Sequence, residues 1–84
     1  MFKNKGSNGK CNLIAERITQ LRRAMIPKMS QRALAERLQL EGIDVDKNAI
    51  QRLECGKRFV TDIELRSLCR IFEISADDLL GLKN

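Results

Sequence analysis

Several side chains that carry chemistry are missing from this sequence of 84 residues. It contains no histidine, no tryptophan and no tyrosine, and aromatic residues make up 4% of the chain. Without histidine, a Ser-His or Cys-His nucleophile cannot be built, so an enzyme is not expected. Because single-stranded nucleic acids are usually bound by stacking their bases on aromatic rings, that mode of binding is disfavoured as well.

Cysteines and long apolar runs are also scarce. The three cysteines, Cys11, Cys55 and Cys69, are odd in number and none is spaced as CxxC. Neither a disulfide framework nor a metal site is expected, and the sequence predicts no cofactor. Three reduced thiols are the simplest interpretation, and a redox-sensing Cys55 is the alternative. No secretory signal is recognisable, and no apolar run reaches the roughly 20 residues that span a membrane. A cytoplasmic protein is expected.

The charge of the chain is unevenly distributed. The net charge is +5, from 16 basic and 11 acidic residues. Residues 1–12 contain three lysines and no acid, and residues 47–58 contain four basic residues and one acid. Residues 61–84 carry three basic and five acidic residues. A protein with one basic side suits a polyanion such as DNA, although a basic stretch can equally be a solvated face.

The pattern divides the chain into a flexible basic tail at residues 1–12 and one helical domain at residues 13–84. The tail is rich in Gly, Asn and Lys, has no apolar periodicity, and could either contact DNA or be inert. Beyond it, apolar residues recur with helical spacing. The first such set is Ile14, Ile18, Leu21 and Met25. No segment alternates for long as a strand would, so the sequence predicts an all-α domain of five helices.

Capping residues mark where these helices begin and end. Helix starts are predicted at Asn12, Ser30, Asp46, Thr61 and Ser75. Pro27 should stop the first helix, and Gly42 and Gly56 should follow the ends of the second and third. Gly81 limits the last helix to about two turns.

The segment from Ser30 to Arg58 reads as two short helices joined by a turn. Its matching residues are Ser30-Gln31, Leu34-Ala35, Val45-Asp46, Ile50, Leu53-Glu54 and Gly56-Lys57-Arg58. In order and spacing they resemble the lambda-repressor-like helix-turn-helix family, also called the Cro/repressor or XRE family. The resemblance covers roughly residues 13–82 and implies a compact five-helix domain that binds DNA. The turn at residues 40–45 is longer than usual in the family, and it could tilt the second helix or bulge into solvent.

The second helix of this pair has a distinct polar face. Ile50 and Leu53 are expected to face the core. The opposite face then presents Lys47, Asn48, Gln51 and Arg52. Lysine and arginine pair with guanine, and asparagine and glutamine pair with adenine. These four residues are therefore predicted to read bases, with a phosphate contact as the alternative for Arg52. Arg22 and Glu54 are expected to form a structural ion pair.

Contacts to the DNA backbone are predicted around this helix. The resemblance implies that Gln31, in the first turn of the preceding helix, touches the backbone and braces the second helix. Free N–H groups at the helix start capped by Ser30 can also bind a phosphate. Lys57 and Arg58 follow the second helix and are predicted to grip the backbone without reading sequence.

Together these assignments predict a sequence-specific regulator that binds double-stranded DNA, expected to act as a repressor in a bacterium or phage. Because one helix reads only a few base pairs, a homodimer on a palindromic operator is expected. The predicted dimer contacts are Leu79, Leu80 and Leu82, unless these leucines only close the core. The alternative is a protein-interaction module, such as an antitoxin or accessory regulator, that binds a protein partner through the acidic C-terminal helices.

Overall fold

Five α-helices make up the regular structure of residues 11–82, the part of the chain that the computed structural model describes. They are α1 (Ala15–Ala24), α2 (Gln31–Leu40), α3 (Lys47–Glu54), α4 (Asp62–Phe72) and α5 (Ala76–Leu79). No strand occurs in these residues, so the predicted all-α class with five helices is confirmed. Residues 1–10 of the predicted tail and residues 83–84 lie outside the described range. None of the five helices combines the length and apolar character that crossing a bilayer requires.

Side-chain caps begin four of the helices, at positions that the sequence predicts. The side chains of Ser30, Asp46, Thr61 and Ser75 each accept a hydrogen bond from a backbone N–H in the first turn of the helix. At α4 the capping box is complete, because the Glu64 carboxylate accepts a bond from the Thr61 N–H at 3.1 Å. α1 differs from the prediction. It begins at Ala15 with no side-chain cap. The Asn12 side-chain amide instead donates hydrogen bonds to the carbonyl oxygens of Leu53 and Arg58.

Residues with a positive φ follow four of the helices, whereas Met25, which follows α1, lies in the extended region. Gly42 and Gly56 follow α2 and α3 with φ of 86° and 76°, as predicted. After α4 the same conformation is adopted by Glu73, with φ of 53°, although a side chain makes it unfavourable. α5 is a helix of four residues that ends at Leu79, shorter than the two turns that the sequence predicts, and Gly81 follows it with a φ of 75°.

The apolar faces of the helices meet in one core. Ile18 of α1, Leu34 of α2 and Leu68 of α4 are each 0% exposed. The other core residues are Ile14, Met29, Ala35, Leu38, Val45, Ile50, Leu53, Ile71, Phe72 and Leu79. α3 packs against both α1 and α2, while α4 packs against α2 and α5. Two helices therefore hold α3 from its inner side, and its outer face stays free.

The turn between α2 and α3, residues 41–46, is anchored to the core. Gln39 Nε2 donates a hydrogen bond to the Val45 carbonyl oxygen at 2.7 Å, and the Ile43 N–H donates to the Leu38 carbonyl oxygen at 3.0 Å. Val45 is 5% exposed, and Ile43 packs against the core. The apolar residues of the longer turn are thus folded inward, and the turn does not bulge into solvent as a free loop.

Glu73 offers a direct test of the backbone strain after α4. We expect Glu73→Gly to raise the free energy of unfolding by about 1 kcal/mol, because glycine adopts a positive φ without a steric clash. Urea unfolding of both proteins measures the difference. The matched control is Arg66→Gly in the interior of α4, which should lower the free energy of unfolding by about 1 kcal/mol. A loss of stability in both variants would contradict the assignment of strain to Glu73.

Candidate nucleic-acid interface

The outer face of α3 carries four exposed polar side chains. Ile50 and Leu53 point into the core and are 1% and 2% exposed. The opposite face presents Lys47, Asn48, Gln51 and Arg52, all exposed, with Cys55 at the end of the helix. Positions one turn apart lie on the same side of a helix, so these side chains form one continuous surface. The predicted division of α3 into a buried and an exposed face is confirmed.

A basic depression lies where the end of α1, the start of α2 and the start of α3 meet. Its volume is about 780 Å³, and it is lined by Arg22, Arg23, Ser30, Gln31, Arg32 and Lys47. Four of these residues are cationic and none is acidic. The first turn of α2 adds backbone N–H groups that have no partner within the helix. The depression therefore combines positive charge with hydrogen-bond donors, which is the chemistry that binds a phosphate.

Sequence reasoning found only part of this depression. It identified Ser30, Gln31 and Lys47 but missed Arg23 and Arg32. Each of these arginines is an ordinary exposed basic residue in its own helix. They are brought together only when the end of α1 folds against the start of α2, which no local pattern reveals.

An ion pair between Arg22 and Glu54 connects α1 to the end of α3. Arg22 Nε and Nη2 lie 2.7 and 2.9 Å from the two Glu54 carboxylate oxygens, and the side chains are only 11% and 7% exposed. Arg22 Nη1 also donates to the Met29 carbonyl oxygen at 3.0 Å. From α2, Gln31 Nε2 donates to the Glu54 carboxylate at 3.0 Å. The predicted ion pair is confirmed, and Gln31 braces α3 through it.

The environment of Glu54 keeps this carboxylate charged. Burial acts to raise the pKa of Glu54, but hydrogen bonds from Arg22 and Gln31 and the charge of Arg22 outweigh it, so that the pKa lies below its usual value. The same bond raises the pKa of Arg22 against the effect of burial. The pair thus stays fully ionised at neutral pH.

The sequence predicts that Arg58 grips the DNA backbone, but in the structure its guanidinium is paired with the Glu64 carboxylate. Its Nη1 and Nη2 lie 2.8 and 2.9 Å from the two carboxylate oxygens of Glu64, and hydrogen bonding to Arg58 lowers the pKa of Glu64. A guanidinium held in this way fastens the loop after α3 to α4, and its charge is already balanced by a carboxylate. The neighbouring Lys57 is exposed and keeps its charge available.

The predicted dimer contacts separate into one buried and two accessible residues. Leu79 is 2% exposed and belongs to the core, so it has no surface to offer a second chain. Leu82 is 70% exposed, and Leu80 is half-buried. Leu80 lies in the wall of an apolar groove of about 300 Å³. Other apolar residues of this groove are Leu13, Ile14, Phe59, Val60 and Leu65.

The three cysteines are free thiols. Cys55 is exposed, whereas Cys11 and Cys69 are half-buried. Burial raises the pKa of the Cys69 thiol, which makes it a weaker nucleophile at neutral pH. Within residues 11–82, no group of three His, Cys, Asp or Glu side chains is arranged to hold a metal ion.

Comparisons of this chain with family models, with curated proteins and with solved structures give no match. A functional interpretation therefore depends on the residues and geometry described above.

The Arg22–Glu54 pair should contribute to the acid sensitivity of the fold. We expect Glu54→Gln to lower the free energy of unfolding at pH 7 by about 3 kcal/mol, because it leaves a buried guanidinium without its anion. A carboxylate with a lowered pKa in the folded state stabilises the protein above its unfolded pKa, near 4.5. That contribution is lost as the pH falls through the folded pKa. Urea unfolding between pH 7 and pH 3 should show that the free energies of unfolding of the variant and the original protein become similar as the pH falls.

Glu41→Gln is the matched control for that experiment. Glu41 pairs with Arg70 at 3.4 Å, but the Arg70 side chain is 60% exposed, and exposed pairs contribute about 1 kcal/mol or less. A loss of similar size in the two variants would contradict the structural importance of the Arg22–Glu54 pair.

Proposed function

We propose that this chain is a lambda-repressor-like helix-turn-helix domain that binds double-stranded DNA and acts as a transcriptional regulator, with repression as its mode of action. α3 is the recognition helix, and its polar face enters the major groove. The observation that carries the proposal is the continuity of two surfaces at Lys47. This residue begins the base-reading face of α3 and also lines the basic depression.

The chemistry of the α3 face favours base edges. Asn48 and Gln51 are exposed amides that offer a donor and an acceptor side by side, the pattern that matches adenine in the major groove. Lys47 and Arg52 supply donors for guanine or for phosphate. No carboxylate of α3 is exposed among them, because Glu54 is buried against Arg22. An anionic duplex can therefore approach this face without repulsion from the helix itself.

The basic depression supplies a place for the DNA backbone beside this helix. A phosphate bound there would accept hydrogen bonds from the N–H groups at the start of α2 and would be attracted by the charges of Arg23 and Arg32. Gln31 would contact the phosphate as well as Glu54. Lys57 would hold the backbone at the other end of α3. Contacts of this kind position the protein, and the α3 side chains then select the sequence.

The length of α3 favours binding as a homodimer. Eight residues span about 12 Å, which covers a few base pairs. In a twofold dimer, a second α3 would occupy the next major groove about 34–36 Å away. Leu80 and Leu82, together with the apolar groove, are the surface that we assign to this contact. The same exposed apolar side chains also favour the second candidate function, a module that binds a different protein.

Gln51 and Lys57 should separate base readout from phosphate binding. Gln51→Ala should weaken binding to the preferred duplex by about 1–3 kcal/mol, because a bidentate contact to one base is lost. It should leave binding to unrelated duplexes unchanged. Lys57→Ala should weaken binding to all duplexes alike and lower the slope of log affinity against log salt by about one. The preferred duplex is first selected from a randomised pool, and affinities are then measured by titration at several salt concentrations.

Two outcomes of this experiment would contradict the proposal. One is the absence of any enriched sequence, which would favour the protein-binding alternative. The other is an equal loss on preferred and unrelated duplexes for Gln51→Ala, which would exclude α3 as the helix that reads bases.

Leu82 tests the dimer. We expect Leu82→Asp to shift the protein towards the monomer in sedimentation experiments, because a charge is introduced into an apolar contact. It should weaken binding to a palindrome more than binding to a single half-site. The control is Leu40→Asp at the end of α2, where the leucine is 84% exposed and lies outside the assigned contact. If Leu82→Asp leaves the oligomeric state unchanged, the dimer surface is assigned wrongly.

A further inference from the structure

The side chain that caps α3 differs from the other caps in carrying a negative charge. Asp46 Oδ1 accepts a hydrogen bond from the Ala49 N–H at 2.8 Å, whereas α2, α4 and α5 are capped by uncharged hydroxyl groups. Asparagine and serine cap a helix about as well as aspartate does. The hydrogen bond that begins α3 therefore requires a side-chain oxygen at residue 46 but not a charge.

The second carboxylate oxygen of Asp46 is accessible and has no partner in residues 11–82. The side chain is exposed, and within that part of the chain it forms no ion pair and no hydrogen bond besides the cap. The backbone around it is held firmly, because the Asp46 carbonyl oxygen accepts a bond from the Ile50 N–H at 3.2 Å. On the other side, the Val45 carbonyl oxygen accepts one from Gln39 Nε2 at 2.7 Å. With Oδ1 held by the cap, Oδ2 is the oxygen that a ligand would meet.

A charge at this point affects the proposed approach of DNA. Asp46 directly precedes Lys47 and Asn48, the first two residues of the proposed base-reading face. The helix dipole favours an acidic residue at a helix start, so the charge contributes to the stability of α3. In a complex with DNA the same charge repels phosphates, and it contributes to binding only where a hydrogen-bond donor meets it.

We propose that Asp46 is a specificity-determining residue, which selects cytosine by accepting a hydrogen bond from the N4 amino group of that base. The proposal rests on the proposed function, because it requires the start of α3 to lie against base edges in the major groove. Guanine presents two acceptors in that groove, and thymine presents one acceptor and a methyl group. Adenine has an amino donor but places the N7 acceptor beside it. A carboxylate is repelled by these acceptors, so cytosine is the base that fits it.

The test replaces Asp46 by asparagine in the full-length chain. Asp46→Asn keeps an oxygen for the cap and removes the charge, and urea unfolding verifies that the variant is folded under the binding conditions. Duplexes selected from a randomised pool should agree between the two proteins at every position except one, where the original chain prefers cytosine and the variant does not. When the C·G pair at that position is changed to T·A, the original chain should bind about tenfold more weakly, and the variant less than about twofold more weakly.

Asp44→Asn is the matched control for the removal of one negative charge. Asp44 is an exposed carboxylate in the turn before α3 and caps no helix. Removal of either charge should strengthen binding to unrelated duplexes, because less repulsion opposes the phosphates. Only the change at Asp46 should also abolish the preference for cytosine. Asp46→Ser, which again keeps the cap, should behave like Asp46→Asn.

The outcomes separate this inference from the proposed function. If the original chain and Asp46→Asn select the same sequence while Gln51→Ala changes it, Asp46 reads no base and α3 still does. Stronger binding to all duplexes alike in both Asp44→Asn and Asp46→Asn would likewise overturn the inference, because Asp46 would then act only as a cap and a general charge. If the original chain selects no sequence, the recognition role of α3 is wrong, and the role of Asp46 with it.

Discussion

The arrangement of this protein depends on one buried carboxylate. The Glu54 side chain is 7% exposed, and a charge in that position is tolerated only if it is paired and hydrogen-bonded. Arg22 comes from α1 and Gln31 from α2, so Glu54 is satisfied only when both helices lie against the end of α3. Burial of Ile50 and Leu53 determines which side of α3 faces the core. The bonds to Glu54 are directional, and they select one orientation for the exposed face of the helix.

Pairing of buried charges also changes which cations are available at the surface. Residues 47–58 are basic as a sequence, yet Arg58 is paired with Glu64, and only Lys47, Arg52 and Lys57 remain free there. Arg23 and Arg32 enter instead from α1 and α2 through the basic depression. The positive surface is therefore assembled from four parts of the chain, and a count of charges along the sequence describes it only approximately.

Features that depend on neighbouring residues could be predicted from the sequence, and features that depend on long-range contacts could not. Helix starts at Ser30, Asp46 and Ser75 depend on neighbouring residues, as does the two-sided character of α3, and local patterns suffice for them. The partners of Asn12 and Arg58 depend on how distant segments meet: Asn12 bonds to Leu53, 41 positions away. Leu79 was predicted to contact a second chain, with closing the core as the alternative. It is 2% exposed, and this burial depends on how α5 meets the rest of the domain. All of these contacts lie within the protein and none involves a ligand, so DNA binding stays a prediction.

The position of Lys47 indicates how phosphate contacts and base contacts would be shared among the side chains of α3. Lys47 lines the basic depression, and in the proposed complex a phosphate there would compete with a base in the groove for its ammonium group. In the proposed complex, Arg23 and Arg32 would attract a phosphate to the same depression, so the phosphate role is the one that Lys47 is placed to share. In that complex, base discrimination would fall mainly on Asn48 and Gln51, whose amides are neutral and gain little from a phosphate, with Arg52 as a further donor for guanine. Such an interface would take most of its affinity from the charges around α3 and most of its sequence preference from uncharged amides, and affinity and preference should therefore respond differently to salt.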